Sequence, residues 1–492
     1  MHIVRFFALS LMAAAVLSAQ APVPGSPNLA LRPTTARAAD GAYISWREHL
    51  IDSGGPGLVL QGSDGLVMAD LDKDGHLDIV SVHESDTVYD GVPDGYIRLA
   101  FGTDDPDKWV LSTLASGREA AAPEDVAVAD VNGDGYLDIV AACELAHLIY
   151  FQNPGTDIRA GKWKRVIPNA TNNRGSFIRV FFADLNGDGR PEVLSPNKGA
   201  QSPRRDQAPS AISWFEIKGD PLNADSWIEH ELARVIWPIN SQPIDLDGDG
   251  DQDVVGGSVA ETRMLLFENL GAKSEPSFKT HSMAIAGTSL TGNARPANRR
   301  NDQGALVSGF NMEFVDLSGD GRLDIVTFEF TTLVGRSIVW LEQPESFGGT
   351  WKLHEIGDYQ PDQVVGLSAA DINGDGLTDV MTGGYSGGAR NADLQVTPEA
   401  VSGRLAWYQN PGKASGAWIR HDISRRRRGM FDKFVPLDLD RDGDMDFVST
   451  RGNSDPYDGV FWIEQVRTAA PAPAFKQARE QDSPEVPLPV GR

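Results

Sequence analysis

The chain is poor in the residues that cross-link a protein or give it positive charge. It has one cysteine, Cys143, among 492 residues. A single cysteine excludes an intramolecular disulfide framework and a cysteine-based zinc cluster, so we expect Cys143 to be a small buried residue. Basic residues are outnumbered, with 44 Lys and Arg against 69 Asp and Glu and a formal net charge of -25. This balance disfavours nucleic acid as a partner and favours cations.

Long apolar runs are missing beyond the amino terminus, which excludes a later membrane-spanning helix. An apolar run from Phe6 to Leu17 follows the basic residue Arg5 and precedes small residues. This pattern predicts a signal peptide over residues 1–19 and an exported, periplasmic or secreted protein; a retained anchor is the alternative. Composition predicts a linker over 20–42 and a Pro-rich flexible tail over 468–492. The folded body would then span 43–467, and we expect a monomer.

An acidic nine-residue pattern recurs seven times through this body. The copies, named loops 1 to 7, read DLDKDGHLD, DVNGDGYLD, DLNGDGRPE, DLDGDGDQD, DLSGDGRLD, DINGDGLTD and DLDRDGDMD, and begin at Asp70, Asp130, Asp184, Asp245, Asp316, Asp371 and Asp438. Successive copies begin between 54 and 71 residues apart. That spacing suits one four-stranded unit per copy.

Strand-like segments surround each loop in the same order. An apolar segment precedes the loop and a β-branched segment follows it, which predicts a hairpin with the acidic loop at its tip. A third segment pairs aromatic residues with Glu or Gln, and a fourth begins with an aromatic residue, usually Trp. Trp46 precedes loop 1, whereas no such residue follows the last third segment at Phe461. We therefore expect the strand from Tyr43 to Ile51 to complete the last unit.

These elements predict an all-β fold, a seven-bladed β-propeller of four-stranded antiparallel blades. The amino-terminal strand would close the ring by pairing with the last blade, which removes exposed sheet edges. A string of small independent calcium-binding domains is the alternative. About 60 residues without disulfides are marginal for an isolated β unit, so we favour the propeller.

The loops have the composition of sites for a hard divalent cation. Positions 1, 3, 5 and 9 carry oxygen-bearing side chains, and Gly at position 6 permits a sharp turn. Up to seven structural Ca²⁺ ions are expected; metal-free turns are the alternative, and Mg²⁺ is less suited. The predicted ligands are Asp70, Asp72, Asp74, Asp78, Asp130, Asn132, Asp134, Asp138, Asp184, Asn186, Asp188, Glu192, Asp245, Asp247, Asp249, Asp253, Asp316, Ser318, Asp320, Asp324, Asp371, Asn373, Asp375, Asp379, Asp438, Asp440, Asp442 and Asp446.

The repeated loops and their rhythm resemble the FG-GAP or VCBS repeat family, whose propeller is similar to the amino-terminal head of integrin alpha subunits. The resemblance covers about 43–466 and implies a calcium-bearing propeller. It leaves the activity open, because this fold carries both adhesion modules and enzymes. The chain departs from integrins in having an acidic loop in every predicted blade, so a receptor role does not follow.

Function is expected on the face opposite the acidic loops, where the longer connections fall. Candidate catalytic residues are His83, Glu144, Arg179, Lys198 and Arg451, and candidate ligand-binding residues are Asn197, Asn240, Glu329 and Tyr385. The run Arg425–Arg428 could grip an acidic polysaccharide, although such runs are usually solvated.

Two functions are compatible with these residues. One is an exported calcium-binding module for carbohydrate or for an extracytoplasmic protein. The other is a carbohydrate-active enzyme of the polysaccharide lyase or sugar dehydratase type, a carbon-oxygen lyase acting in the central funnel. No familiar catalytic motif occurs in the sequence that would decide between them.

Overall fold

The computed structural model describes residues 28–85, 91–145, 147–271, 276–290, 304–330, 335–386 and 397–489. The predicted signal peptide, 1–19, lies outside these ranges, as do parts of the long connections on the face opposite the acidic loops. None of the helices in the described ranges is long and apolar enough to cross a membrane.

Regular structure in these ranges is almost entirely strand. The first strands, β1 to β7, are Tyr43–Asp52, Gly54–Gly55, Leu58–Val59, Ser63–Ala69, Asp78–His83, Tyr96–Phe101 and Val110–Ser116. Strands β8 to β15 are Pro123–Ala129, Asp138–Cys143, His147–Gln152, Lys164–Val166, Phe181–Ala183, Glu192–Pro196, Ser210–Ile217 and Trp227–Val235. Strands β16 to β24 are Pro238–Ile244, Asp253–Ser258, Arg263–Asn269, Phe278–Ser282, Ala284–Ala286, Glu313–Val315, Asp324–Phe330, Gly335–Glu342 and Thr350–Asp358. Strands β25 to β32 are Val364–Ala370, Asp379–Gly384, Gly403–Gln409, Ile419–Arg426, Phe434–Leu437, Asp446–Arg451, Gly459–Thr468 and Phe475–Lys476. Three short 3₁₀ helices are Gly117–Ala120, Gly155–Ala160 and Ala224–Ser226.

The strands form antiparallel groups of four, each associated with one acidic loop. Groups 1 to 4 are the separate sheets β4–β7, β8–β11, β12–β15 and β16–β19. Group 5 is β21–β24 and group 6 is β25–β28; a single pairing of Gly335 with Val364 joins them, and β20 adds in parallel to β24. Group 7 is β29, β30, β31 and β1, with β32 beyond β1. In every group the acidic loop connects the first two strands, as the sequence predicts.

The core lies between neighbouring groups because the second strands are buried along their length. Strands β5, β9, β17, β26 and β30 are buried at every residue. One apolar cluster joins Val80 of group 1 to Val126 and Ile139 of group 2, and it includes the fully buried Cys143. The prediction for Cys143 is therefore confirmed. Each sheet buries both faces, which explains why these strands are nearly continuous apolar runs rather than alternating ones.

The amino-terminal strand completes the last group, as predicted. Strand β1 pairs antiparallel with β31, and Trp46 lies opposite Gln465. The His49 ring stacks on Trp462 with centroids 4.2 Å apart, and His49 Nε2 lies 2.7 Å from Glu464. Groups 3, 5 and 6 have the same stack of a fourth-strand His on a third-strand Trp. The recurrent Trp and His are thus packing residues.

Neighbouring groups are also joined by a repeated amide contact. At the end of β10, Asn153 Nδ2 donates to the Leu71 carbonyl, in the second position of the preceding loop, at 3.1 Å. Asn269, Gln343 and Gln465 make the equivalent bond to the preceding group's loop at 2.9 Å each. The third-strand Asn and Gln residues seen in the sequence therefore connect one group to the next.

The last group contacts the first. Thr450 in β30 donates to the Asp64 carbonyl at the start of β4. The Gly62 N–H donates to Asp458 Oδ2 at 2.8 Å. These bonds bring the two ends of the series together.

Both terminal segments pack onto the body, contrary to the linker and flexible tail predicted from their composition. Ala36 and Ala38 are buried in the core of group 7. Strand β32 pairs in parallel with β1, and Val486 and Leu488 are buried. The described parts of these segments, 28–42 and 468–489, are held by apolar burial and main-chain hydrogen bonds. A Pro- and Ala-rich composition shows only that a segment lacks regular periodicity, not that it lacks a surface to pack on.

Four arginines have fully buried side chains, and three of them, Arg425, Arg426 and Arg451, anchor the carboxy-terminal segment. Arg425 contacts Asp362 at 2.8 Å and donates to the Pro487 carbonyl at 2.6 Å. Arg426 and Arg451 lie against Glu48 and Asp482. Arg404 pairs with Asp422. The prediction that the run from Arg425 is a solvated or polysaccharide-gripping patch is wrong for Arg425 and Arg426.

Candidate functional site

The acidic loops share one backbone conformation, set by their first and sixth residues. In all seven, the first Asp accepts a hydrogen bond from the N–H of the glycine at position 6. In loop 2, Asp130 also accepts the N–H groups of Gly133 and Asp134 at 2.8 and 3.1 Å. The glycines at position 6 have φ between 84° and 98°, a left-handed conformation that other residues adopt only under strain. This turn gathers the side chains of positions 1, 3 and 5 on one side.

The ninth residue of each loop has a role beyond the metal ligation expected from the sequence. Its carboxylate accepts the N–H of position 2 in every loop. In six loops its other oxygen accepts an N–H at the end of the third strand, as when Asn153 donates to Asp138 at 2.8 Å. In loop 3, Glu192 instead accepts from the Asn186 side chain at 2.8 Å. A carboxylate has about four lone-pair sites, so this anchoring leaves capacity for a cation.

Three loops bring carboxylates close enough to share one metal ion. Positions 1, 3 and 9 of loops 1, 4 and 7 offer oxygens that all lie within 4.8 Å of one another. These are the loops with Asp at position 3. Loops 2, 3, 5 and 6 have Asn or Ser there, whose oxygens would replace one carboxylate. The donors are all oxygens, which fits a hard cation.

The pKa values of the ninth carboxyls show that these clusters disfavour further negative charge. Burial, assisted by neighbouring loop carboxylates, raises the pKa of Asp78 to about 6 and of Asp253 and Asp446 to about 7. Burial and nearby carboxylates raise the pKa of Asp444, at position 7 of loop 7, to about 8. A bound cation would favour the ionised forms of all four.

Three loops already contact a positive side chain. Arg159, from the 3₁₀ helix of group 2, donates to Asp72 at 2.7 Å and to Asp74 at 2.9 Å in loop 1. Arg322 pairs with Asp320 in loop 5, and Arg467 lies 3.5 Å from Asp444 in loop 7. The positive charge of a side chain therefore partly offsets the carboxylates of these loops.

A polar cavity lies where the first strands of groups 2 to 7 converge, and we call it the central cavity. Its volume is about 190 Å³. Each of these groups supplies at least one lining residue, including Asp125, Arg179, Asn240, Glu313, Leu367 and Lys433. The lining residues lie three to six places before the acidic loops that follow them in the sequence.

Of the five residues predicted to be catalytic, one lines this cavity. Arg179 does so, bonded to Asp432 at 3.0 Å. Glu144 and Lys198 form a buried ion pair with each other. The fully buried His83 lies between the hydroxyls of Ser63 and Ser81, and Arg451 belongs to the network that holds the carboxy-terminal segment.

Three of the four predicted ligand-binding residues are outside the cavity lining, and two of these hold the backbone. Asn197 bonds the main chain of Arg174, Ser176 and Gly199. Glu329 accepts the N–H groups of Ser289 and Leu306 at 2.6 and 3.2 Å. Tyr385 pairs with Met430 in an isolated antiparallel β-bridge of the backbone.

Asn240 does line the cavity. Its amide donates to the carbonyls of Gly309 and Phe310 at 3.0 and 3.1 Å, and its oxygen accepts from Ser241. Its side chain is therefore committed to the protein.

An acidic cluster lies at the strand ends away from the acidic loops. Asp64, Glu84 and Glu124 offer oxygens that lie within 4.8 Å of one another. Asp64 and Glu124 begin the first strands of groups 1 and 2, and Glu84 follows the second strand of group 1.

Several cavity residues escaped the sequence prediction, namely Gln242, Glu313, Asp432 and Lys433. A positional signal was available. The residues five places before each loop are Gly65, Asp125, Arg179, Asn240, Asn311, Gly366 and Lys433, and five of these seven line the cavity. Because the first strands are equivalent, equivalent positions meet around the cavity.

Comparison with known proteins gives one match. Residues 70–141 match the family of FG-GAP-like repeats. The matched span contains loops 1 and 2 and suggests a β-propeller-like binding module. No curated protein matches the chain.

Proposed function

We propose that the chain is a closed seven-bladed β-propeller with groups 1 to 7 as its blades. The amide contact repeated between successive groups supports this arrangement. The bonds from Thr450 to Asp64 and from Gly62 to Asp458 support closure between group 7 and group 1. In a closed ring each group would pack against another group on both sides, so no sheet face between groups would be exposed.

In this proposal the seven loops bind Ca²⁺ and stabilise their hairpins. Calcium accepts six to eight oxygens at about 2.3 to 2.6 Å in flexible geometry, which carboxylates, amides and water can supply. Each loop joins the first two strands of one group, so a bound ion would tie those strands together. The loops lie at the strand ends away from the central cavity, which favours a structural role.

The proposed activity is carbohydrate binding by an exported protein, at the face opposite the loops. The observation that carries it is the convergence of six groups on one polar cavity. Clefts with a few convergent polar groups are the usual form of small-molecule sites. Binding of an extracytoplasmic protein at the same face is the competing outcome.

The enzyme alternative has one supporting feature. Burial raises the pKa of Glu313, in the central cavity, to about 7, although Lys433 lowers it. A carboxyl of this kind can exchange a proton near neutral pH. The residues predicted to be catalytic do not share the cavity, so binding is the better-supported activity.

Calcium is tested by thermal unfolding of the signal-free protein with Ca²⁺, with a chelator and with Mg²⁺. A site exposed to Ca²⁺ at 100 times its Kd adds about 2.7 kcal/mol to the stability. We expect chelation to lower the melting temperature and Ca²⁺, but not Mg²⁺, to restore it. An unchanged melting temperature after complete chelation would contradict the structural role.

Carbohydrate binding is tested by probing a glycan array with the Ca²⁺-loaded protein. We expect the folded protein to be retained on a defined set of glycans. Protein that has been unfolded after chelation of Ca²⁺ should not be retained. No retention on any glycan, together with capture of one extracytoplasmic protein, would replace carbohydrate by protein as the ligand. Export is checked by amino-terminal sequencing of the protein recovered outside the cytoplasm.

A further inference from the structure

The central cavity is small enough to select its ligand by size. Its volume of about 190 Å³ equals about six water molecules at roughly 30 Å³ each. Pockets for drug-sized ligands are larger, about 300 Å³ or more. The cavity therefore suits one sugar unit rather than an oligosaccharide.

Part of its polar lining is already committed to the protein. Arg179 bonds Asp432 at 3.0 Å and Asn311 at 3.3 Å. The Asn311 amide in turn donates to Asp432 at 3.1 Å. Asp125 accepts the Val180 N–H at 3.3 Å. These groups already have hydrogen-bond partners in the protein.

Three other polar side chains are available to a ligand. Gln242, Glu313 and Lys433 line the cavity, and none of them has a side-chain hydrogen bond to another residue within the described ranges. An ammonium donates, a carboxylate accepts and a carboxamide does both. Together they match hydroxyl groups, which donate and accept.

Apolar side chains complete the lining. Phe181 and Phe434 line the cavity beside Leu367 and Met312. A pyranose ring has hydroxyls around its edge and C–H groups on its faces. A cavity with both aromatic and hydrogen-bonding groups suits such a molecule better than an ion.

The charges of the lining disfavour an anionic ligand. Two cations, Arg179 and Lys433, face three carboxyls, those of Asp125, Asp432 and Glu313. A sphere of 190 Å³ is only about 7 Å across, so a ligand inside lies near all five groups. When all five are ionised the lining has one more negative charge than positive, and a carboxylate placed inside meets net repulsion.

We propose that the central cavity binds one neutral monosaccharide unit through Gln242, Glu313 and Lys433, and discriminates against uronic acids. This inference rests on the proposed carbohydrate-binding function and specifies its site and ligand class. The unit could be a free sugar or the end of a glycan chain, since either presents the same hydroxyls.

The test is calorimetric titration of the Ca²⁺-loaded protein with neutral hexoses and pentoses, glucuronate and glucosamine. Neutral disaccharides distinguish a free sugar from a chain end. We expect one or more neutral sugars to bind, and glucuronate to bind at least roughly tenfold more weakly. We expect Glu313→Gln and Lys433→Met each to weaken that binding by roughly tenfold, the worth of a hydrogen bond to a charged group.

Matched controls are Glu345→Gln and Lys413→Met, which change the same residue types at exposed positions. They should bind as the parent does. If Glu313→Gln or Lys433→Met melts clearly earlier than the parent, Gln242→Ala, which removes no charge, replaces it.

Two results would overturn the inference while leaving the proposed function intact. One is glycan binding that all three cavity substitutions leave unchanged, which would place the site elsewhere. The other is tighter binding of glucuronate or glucosamine than of any neutral sugar. Absence of binding to every sugar and glycan would instead remove the proposed function itself.

Discussion

Replacing Asp482 with alanine should strongly destabilise the protein, although Asp482 lies in a segment that composition marks as flexible. Its carboxylate is 2.8 Å from Arg451 and 3.6 Å from Arg426, and all three side chains are fully buried. Glu48 is the only other carboxylate with a described ion pair to the two arginines, at 3.0 and 3.4 Å. Removing Asp482 therefore leaves Arg451 and Arg426 sharing Glu48 as their ion-pair partner, with Glu485 adding a weaker attraction to Arg426.

The expected loss is about 3 to 5 kcal/mol, the usual cost of removing one partner from a buried ion pair. The loss does not measure the net worth of the pair. Burial raises the pKa of Asp482 to about 6 even though Arg426 lowers it, so the arginines do not fully offset the desolvation of this carboxylate. Most of the cost comes from the uncompensated arginines.

The assay is urea unfolding of the Ca²⁺-loaded protein at neutral pH, followed by tryptophan fluorescence. Asp206→Ala is the control, because Asp206 pairs with Arg204 at a highly exposed position and its loss should leave the unfolding curve nearly unchanged. Adding Arg451→Met to Asp482→Ala should restore part of the lost stability by removing the unpaired charge. A loss below about 1 kcal/mol for Asp482→Ala, or no recovery in the double variant, would refute this account.

Three further predictions follow from local geometry. Burial lowers the pKa of His83 to about 3 from its ordinary 6.5. The unfolded chain therefore binds a proton that the buried neutral ring resists, so the free energy of unfolding is unaffected above pH 6.5 and decreases as the pH falls toward 3. Acidification to pH 5 should therefore cost the parent about 2 kcal/mol that it does not cost His83→Gln. We expect the melting temperature of the variant to fall less than that of the parent between neutral pH and pH 5. Gly366→Ala would place a Cβ 2.1 Å from the Phe431 carbonyl oxygen and should cost about 1 to 3 kcal/mol, whereas Gly55→Ala, with open space around it, should be nearly neutral in the same melt. Asp249→Asn should weaken or abolish one Ca²⁺ site without affecting the others; a full set of tight sites in calcium titration would contradict its role as a ligand.

The sequence by itself determined the repeating unit of this protein. An acidic loop between an apolar and a β-branched segment specifies a hairpin locally, since glycine and the first Asp of the loop set the turn. The position of Trp46 before loop 1 was enough to predict that β1 joins the last group. The amide residues that end the third strands were visible, but their bond to the preceding loop was not.

The central cavity could be predicted only in part. Arg179 and Asn240 were selected because they begin first strands, whereas His83 and Arg451 were selected because they end second strands and proved to be structural. Lys433 and Asp125 occupy the same position relative to their loops as Arg179, so comparison of equivalent positions finds them. Glu313 and Gln242 lie two places closer to their loops than this position. Because side chains two apart in a strand point to the same face, the same comparison finds them.

Only the tertiary structure decided whether the arginine-rich and Pro-rich segments are buried or exposed to solvent. Four consecutive arginines have the same composition whether they face solvent or Glu48 and Asp482, because burial depends on partners distant in sequence. The segment after Thr468 lacks any periodic pattern, yet it is held by contacts with β1 and the buried arginines. Local spacing specifies turns and strand pairing, whereas the pairing of buried charges depends on which segments the fold brings together.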